Sequence, residues 1–489
     1  MNFLSFDIGT TCCKSQLFSQ SGEILKYSSE EYSFLEKDGE TYADIRGIIS
    51  RVKKMLAEAA KEYEISSLCI SSFGESFVLL DEKDNILFDP MLYTDPRGEQ
   101  EAEQLLQEFG AEKLFSVTGL VPQSMYSVSK LLWIRNHCPK IFAAAKKCML
   151  ICDYIGYCLT GERKIDYALA SRTGVFDIGK LEFSREILDR CGIDSALFSD
   201  PVPTGSIVGE IKEELKRELA LKGRCVLVLG SHDQICSALG AGAVNAGDAV
   251  DGMGTVECIT PVFAKKTDDV QMGKRGYACV PYAVPGLYCT YMLNYSCGSL
   301  VTWLRKDILH GYKGDAKDVY SYLEHTDELP SGILVLPYFA GAATPYQSIG
   351  AKGAIVNLTI KTSEAEIYKG IMEGTAMEMR LNAECCREYG IEIERIVATG
   401  GGSNSRKWLA LKASIQGVPI RTLRSSEGGL CGCAMLQATA LGVLENLQEA
   451  AKIFVQYNRE FLPNAAQMAA YEGQYRKYKK LYHTMKEFY

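Results

Sequence analysis

The chain has 489 residues, 47% of them hydrophobic, and its 53 basic and 61 acidic side chains leave a formal net charge of -8. That is enough apolar material for two cores or more, while basic residues are scattered, with only short patches such as "RKYKK", which argues against a nucleic-acid partner. No apolar run is long enough to span a bilayer, and the start "MNFLSFDIGTT" has neither a basic leader nor a cleavage pattern, so a cytoplasmic protein with no membrane partner is expected.

The first stretch, "FLSFDIGTTCCKSQLFSQSGEILKYSSEEY", predicts a strand, a tight glycine turn, a second strand, the turn "SQSGE" and a third strand, which is an antiparallel meander. Asp7 near the end of the first strand is followed by Gly9, Thr10 and Thr11. Bare backbone with hydroxyl and amide donors can hold phosphate oxygens. On that reading Asp7 orients a hydrated magnesium ion, with Thr10, Thr11 and Lys14 near the phosphates; an ordinary hairpin with a turn aspartate explains the same residues.

Helical spacing then runs from Ile45 through Tyr63 and is followed by the short apolar runs "SSLCISSF" and "FVLLD", an alternation that predicts α/β domains with mixed sheets. In "VLVLGSHDQICSALGAGA", Val226 to Leu229 reads as a buried strand leading to Asp233. Burying an acid is costly unless it is paired or needed. A carboxylate at the end of a central strand can accept the proton of an attacking hydroxyl. His232 beside it reads as a packed or hydrogen-bonded histidine, not as a second base.

Small residues in "GAVNAG", 242–247, mark the joint between a unit spanning 1–243 and one spanning 244–489. Directly after it, "AGDAVDGMGTVECITPVF" repeats the opening plan, with Gly254 and Thr255 echoing Gly9 and Thr10 about half the chain later, so a duplicated domain is expected. Two such turns can grip a polyphosphate from both sides. Neither a G-x-x-x-x-G-K-[ST] loop nor a convincing G-x-G-x-x-G occurs.

In "IVATGGGSNSRKWLALKASIQGVPI", Gly400, Gly401 and Gly402 follow a strand, Ile396 to Thr399, and precede a helix whose capping candidates are Ser403 and Asn404. A flat ligand can lie against that backbone, and a plain glycine-rich turn accounts for it equally. "EGGLCGCAMLQATALG" predicts a small-residue helix made for tight packing. Tyr471, Tyr475, Tyr478 and Tyr482 share one face of a last helix, read as core packing. The eighteen cysteines sit in apolar or small-residue contexts without paired C-x-x-C clusters, which suits reduced core residues and not disulfides or zinc.

Ten segments occur in an order that resembles the FGGY family of carbohydrate kinases: "DIGTT", "YTDPR", "MYSVSKLLWIRNH", "DYIGYCLTGE", "HDQ", "GMGTVE", "LPYFAGAATP", "GIMEGTAMEMR", "TGGGSNSRKW" and "EGGLCGCAM". The third is the most specific, with Lys130, Trp133, Asn136 and His137 at the spacing of the family's first signature. The resemblance implies an α/β fold of two ribonuclease-H-like domains, of the actin and hexokinase type, flanking a cleft for ATP and sugar. It implies Asp233 as catalytic base, Asp7 and Asp233 as the acids at Mg2+, and Gly9 to Thr11 with Lys14, Gly254 and Thr255 at the phosphates. Gly400 to Gly402 and Asn404 match its adenosine region. Because the family often forms dimers, a homodimer is also implied.

At the acceptor end the sequence departs from the pattern. Glu75 falls where xylulose kinases carry histidine, and where glycerol kinases carry an acid preceded by arginine this chain has Gly74. W-x-D-x-R becomes Tyr93, Asp95 and Arg97, and Ser414 stands where an acid often does. Glu75, Asp95 and Gln234 are the expected contacts of a ketose or polyol, with a solvated turn as the plainer account of Glu75. The expected activity is ATP-dependent phosphorylation of such a sugar, xylulokinase-like; an ATP-driven conformational protein and a catalytically silent sugar-binding regulator are the rivals.

Overall fold

The computed structural model describes residues 1–37, 39–309, 326, 329–425 and 427–489. The first sheet is built from β1 (Asn2–Ile8), β2 (Cys12–Ser19), β3 (Ile24–Glu31), β4 (Ser67–Ser72), β5 (Ile207–Glu210) and β6 (Val226–Val228), in the order β5-β6-β4-β1-β2-β3. The predicted meander is present, since β1 pairs antiparallel with β2 and β2 with β3. On its other side β1 runs parallel to β4, and β4 to β6. Phe3, Leu4, Phe6 and Ile8 are all buried, which is what a strand covered on both faces requires.

The second sheet repeats this plan with β7 (Asp248–Met253), β8 (Glu257–Phe263), β9 (Val280–Pro281), β10 (Tyr288–Cys289), β11 (Met292–Asn294), β12 (Arg395–Thr399), β13 (Ile420–Leu423) and β14 (Tyr457–Phe461). Its order is β9-β10-β8-β7-β12-β13-β14, with β11 also on β8. The antiparallel hairpin β7-β8 answers to β1-β2, and the parallel strands β12 and β13 answer to β4 and β6. The duplication predicted from two Gly-Thr turns is therefore a duplication of sheet topology. In each copy the inner strand that carries an aspartate leads into a Gly-Thr turn.

Helices cover both sheets: α1 (Ile45–Ala60), α2 (Ser127–His137), α3 (Asp233–Gly240), α4 (Gly298–Trp303), α5 (Glu364–Arg387), α6 (Arg406–Gln416), α7 (Gly428–Ala440) and α8 (Ala465–Met485). The helix predicted through Tyr63 stops at Ala60; Asp44 caps its start by accepting from the Gly47 amide at 2.9 Å, and Ile48, Val52, Met55 and Leu56 are buried. On α8 all four named tyrosines are buried, as core packing requires.

α7 comes late in the chain, yet it lies against the first sheet. Its Gln437 accepts from Ser67 of β4 at 2.7 Å and donates to Ser5 of β1 at 3.2 Å. The predicted tight packing is realised against α3: a Cβ on Gly240 would stand 1.9 Å from the Gly428 carbonyl oxygen, and one on Gly432 would stand 2.1 Å from that of Cys236. This glycine seam sets α3, and Asp233 at its start, against the rest of the molecule. All eighteen cysteines are free.

Candidate active site

Two expectations need correction. β6 is the second strand from the sheet edge, not a central one, and it ends at Val228, so Asp233 is reached through a short loop and opens α3. Neither Ser403 nor Asn404 caps α6. Ser405 does, accepting from the Trp408 amide at 3.3 Å, while Gly401–Asn404 form one tight turn in which Ser403 donates to the Gly400 carbonyl and Asn404 to that of Gly401.

Asp7 lies opposite Ser71 in the parallel pairing and opposite Lys14 in the antiparallel one. Ser71 Oγ donates to Asp7 Oδ1 at 3.0 Å. Burial, then the negative charge of Asp233, push the Asp7 carboxyl up to about 7. The start of α7 crosses directly above, and Gly429 makes room for it, because a Cβ there would stand 3.1 Å from the Asp7 carboxyl carbon. Lys14 is held by Glu427, with 3.1 and 3.0 Å to the two carboxylate oxygens. In the first Gly-Thr turn the Gly9 amide donates to the Cys12 carbonyl at 2.9 Å, and Tyr32 donates its amide to the Thr11 carbonyl and its hydroxyl to that of Gly9.

Asp233 is half-buried, and its Oδ1 accepts from the Gln234 amide at 2.6 Å. Burial raises its carboxyl to about 6, with Arg172 and the amide contact pulling the other way. Such a group is ionised near neutrality yet basic enough to take a hydroxyl proton. His232 Nε2 is 3.3 Å from Asp233 Oδ1. Burial, the dominant influence, pulls that imidazole down to about 4, so it is uncharged and packed, as read from the sequence. Gln234 is exposed beside it.

Asp166, fully buried, steadies this loop: it accepts from Ser231 Oγ at 2.6 Å, Thr204 Oγ1 at 2.8 Å and the amides of Ala168 and Leu169. One carboxylate thus ties the loop before Asp233 to the helical turn Tyr167–Ser171, which carries Arg172 at its end.

Arg172 is what the sequence reading missed. It is buried and grips Glu75, donating Nε to Oε1 at 2.5 Å and pairing to the same oxygen through a terminal nitrogen. Glu75 is 2% exposed, which removes the solvated-turn account. Its φ of 62° is unusual for a residue with a side chain, and Ser127 Oγ fixes it by donating to the Glu75 carbonyl at 2.7 Å. The base that position 74 does not supply arrives from 97 residues further on. Asp95 lies beyond, with both oxygens on Arg97 and its carbonyl accepting from buried Lys130 at 2.7 Å.

The second Gly-Thr turn opens on a cavity of about 660 Å3, lined by Gly254, Thr255, Ser299, Trp303, Gly401 and Gly402 among others. The turn's carbonyls face the start of α4: Gly298 donates to Gly254 at 2.9 Å and Ser299 Oγ to Thr255 at 2.9 Å. Gly400, at φ 78°, and Gly402 pack on Met253, whereas a Cβ on Gly401 would meet nothing within 4 Å. The structure therefore joins Gly254, Thr255, Gly401 and Gly402 in one cavity, with Gly400 packed on Met253 and Asn404 held in the turn off its lining, and the first turn and Lys14 gathered instead around Asp7.

Among the described residues no group of three His, Cys, Asp or Glu side chains is poised to hold a metal. Two hard carboxylates close enough to perturb one another fit a cation that keeps most of its water and is completed by phosphate oxygens. No described helix is long and apolar enough to cross a membrane.

The family models described as the N-terminal and C-terminal domains of the FGGY family of carbohydrate kinases match residues 2–240 and 253–441. The chain is 24% identical to a xylulose kinase of Staphylococcus epidermidis over 99% of its own length and 97% of the relative's. It is 26% identical to a gluconokinase of Bacillus licheniformis over 91% and 88%. The solved structure of a xylulose kinase from Rhodospirillum rubrum superposes with a TM-score of 0.92 at 23% identity, covering 100% of this chain and 99% of that one, which gives the fold as the two-domain one expected.

Proposed function

The chain belongs to the FGGY family of carbohydrate kinases and is an ATP-dependent sugar kinase, and from that premise we propose that its acceptor is a small ketose or polyol and that Asp233 is the base. The observation that carries this reading is the Asp233 carboxyl, raised to about 6 at the start of α3, beside Asp7 and the Glu75–Arg172 pair. An acceptor hydroxyl hydrogen-bonded to Asp233 gives it the proton as its oxygen attacks the γ-phosphorus and the bond to ADP breaks.

Gly9, Thr10, Thr11 and Lys14 cradle the transferred phosphoryl group, and Gly254 and Thr255 hold the remaining phosphates. Gly401 and Gly402 on the cavity wall, with Gly400 and Asn404 in the same turn, accept the adenosine. Asp7 and Asp233 are the residues that would hold Mg2+, which supplies charge neutralisation at the phosphates when bound. Glu75, Asp95 and Gln234 position the acceptor, Glu75 with the oxygen capacity that Arg172 leaves.

The test is ADP release from MgATP across a panel of ketopentoses, deoxyketoses, polyols, aldonates and glycerol. Strong stimulation by one ketose or polyol supports the reading. Stimulation by an aldonate alone replaces the acceptor class.

A further inference from the structure

Arg172 and Glu75 form a closed charge pair beside the proposed base. Both are buried, at 5% and 2% exposure, and two guanidinium nitrogens converge on a single carboxylate oxygen. The rings of Tyr126 and Tyr291 lie 5.1 and 5.6 Å from the guanidinium carbon and enclose it. Tyr291 also meets the edge of the His232 ring. This part of the wall is thus aromatic and hydroxylated, and the Arg172 charge in it is cancelled by Glu75, while Asp95, itself paired with Arg97, lies beyond.

We propose that Arg172 is a specificity-determining residue held masked by Glu75, so that the pocket takes uncharged polyhydroxy acceptors and rejects anionic ones such as aldonates. The physical reason is electrostatic. A carboxylate entering this space loses its hydration, finds a guanidinium already neutralised, and is repelled by Asp233. Sugar hydroxyls, by contrast, can donate to the lone pairs of Glu75 and accept from the tyrosine hydroxyls. The sequence signal for this was weak, because Glu75 and Arg172 lie on different elements and only the fold makes them partners.

The inference rests on the reading of this site as the acceptor pocket, and the experiment separates the two. Binding of a neutral ketopentose, a pentitol and a five- or six-carbon aldonate is measured by calorimetry, without turnover, on the wild type, Glu75→Gln and the double variant Glu75→Gln/Arg172→Met. Phosphorylation is followed in parallel. Glu75→Gln keeps the side-chain shape but uncovers the guanidinium, so the aldonate-to-neutral affinity ratio is expected to rise at least tenfold, and the uncharged double variant is expected to return it to the wild-type value. An unchanged ratio in Glu75→Gln, or a wild type that binds the aldonate best, overturns the masking. Preserved discrimination in binding without phosphorylation of any compound leaves the masking standing and removes the kinase assignment of the acceptor instead.

Discussion

Lys14 and Glu427 are 413 residues apart in the chain and meet in an ion pair 3.0 Å long beside Asp7. Lys14 belongs to β2 and Glu427 precedes α7, so the pair joins the strand after the first Gly-Thr turn to the helix that closes over it. If Lys14 binds the phosphates as proposed, Glu427 competes with ATP for it. Replacing Lys14 by Met removes a charge-assisted contact worth about 1.5–3 kcal/mol, and the KM for ATP is expected to rise about tenfold or more. Glu427→Gln releases the lysine and should lower that KM several-fold. Steady-state kinetics with varied ATP at saturating sugar checks both, and an unaltered KM in Lys14→Met removes Lys14 from the phosphate site.

With Asp233 at about 6 and Asp7 at about 7 before ligands bind, both carboxyls are mostly protonated at pH 5, where the proposed base is lost. The pH profile of kcat/KM is expected to rise about 100-fold per unit below pH 6, where both carboxyls must ionise, about tenfold per unit between pH 6 and 7, and then level. Raising the magnesium concentration favours ionised Asp7 and should move the acid limb to lower pH. Asp233→Ala is expected to cost about 100-fold to 10,000-fold in kcat at pH 8 with the fold intact by circular dichroism.

The same shifts bear on stability with the opposite sign. A carboxyl whose folded pKa lies above its unfolded value of 3.8 stabilises the fold while protonated, and that contribution is lost as pH rises from about 4 through 7. Each unit is worth about 1.4 kcal/mol, so Asp7→Asn should raise the Tm at pH 8 while abolishing turnover. A Tm that falls at pH 8 and not at pH 5 contradicts this sign.

Much of the fold was legible because it is local. The β1-β2-β3 meander, α1 and the tyrosine face of α8 follow from alternation, turn residues and helical spacing, each within one window. The glycines of α7 signalled close packing, though not that α3 was the partner. What escaped was long-range. Arg172 lay in "ALASRTG" with no periodicity to mark it, and its role exists only through Glu75, 97 residues earlier. Ser405 was passed over as the cap because Ser403 and Asn404 carry the same chemistry two and one positions earlier; the tight turn they form is what displaces the helix start. The strand before Asp233 was taken as central because its apolar run is continuous, a signature that any strand covered on both faces shows.

Gly400 and Gly401 separate packing from binding. A methyl on Gly400 would sit 2.8 Å from the Met253 carbonyl oxygen at φ 78°, whereas one on Gly401 would enter open space at the cavity wall. Gly400→Ala is expected to lose about 1–3 kcal/mol of stability. Gly401→Ala should leave the Tm within about a degree and raise the KM for ATP several-fold by narrowing the nucleotide's place. Denaturant melts beside ATP kinetics distinguish the two, and equal effects on both measurements for both variants would dismiss the division.

Lys412 of α6 is fully buried and pairs with Asp251 of β7 and Glu257 of β8, the two strands that present Gly254 and Thr255. The flanking carboxylates keep the ammonium charged against its burial, while burial raises Glu257 to about 7. Asp251 Oδ1 and Glu257 Oε2 have no hydrogen-bond partner among the described residues, so the lysine is what balances two acids at the root of the turn. Lys412→Met leaves both carboxyls buried without a cation, and a loss of about 3–5 kcal/mol is expected at pH 8. The loss should shrink toward pH 5, where Glu257 takes up a proton and the missing charge matters less. If the variant is instead equally destabilised at both values, the cost comes from the altered shape of the side chain and not from the charge it carried.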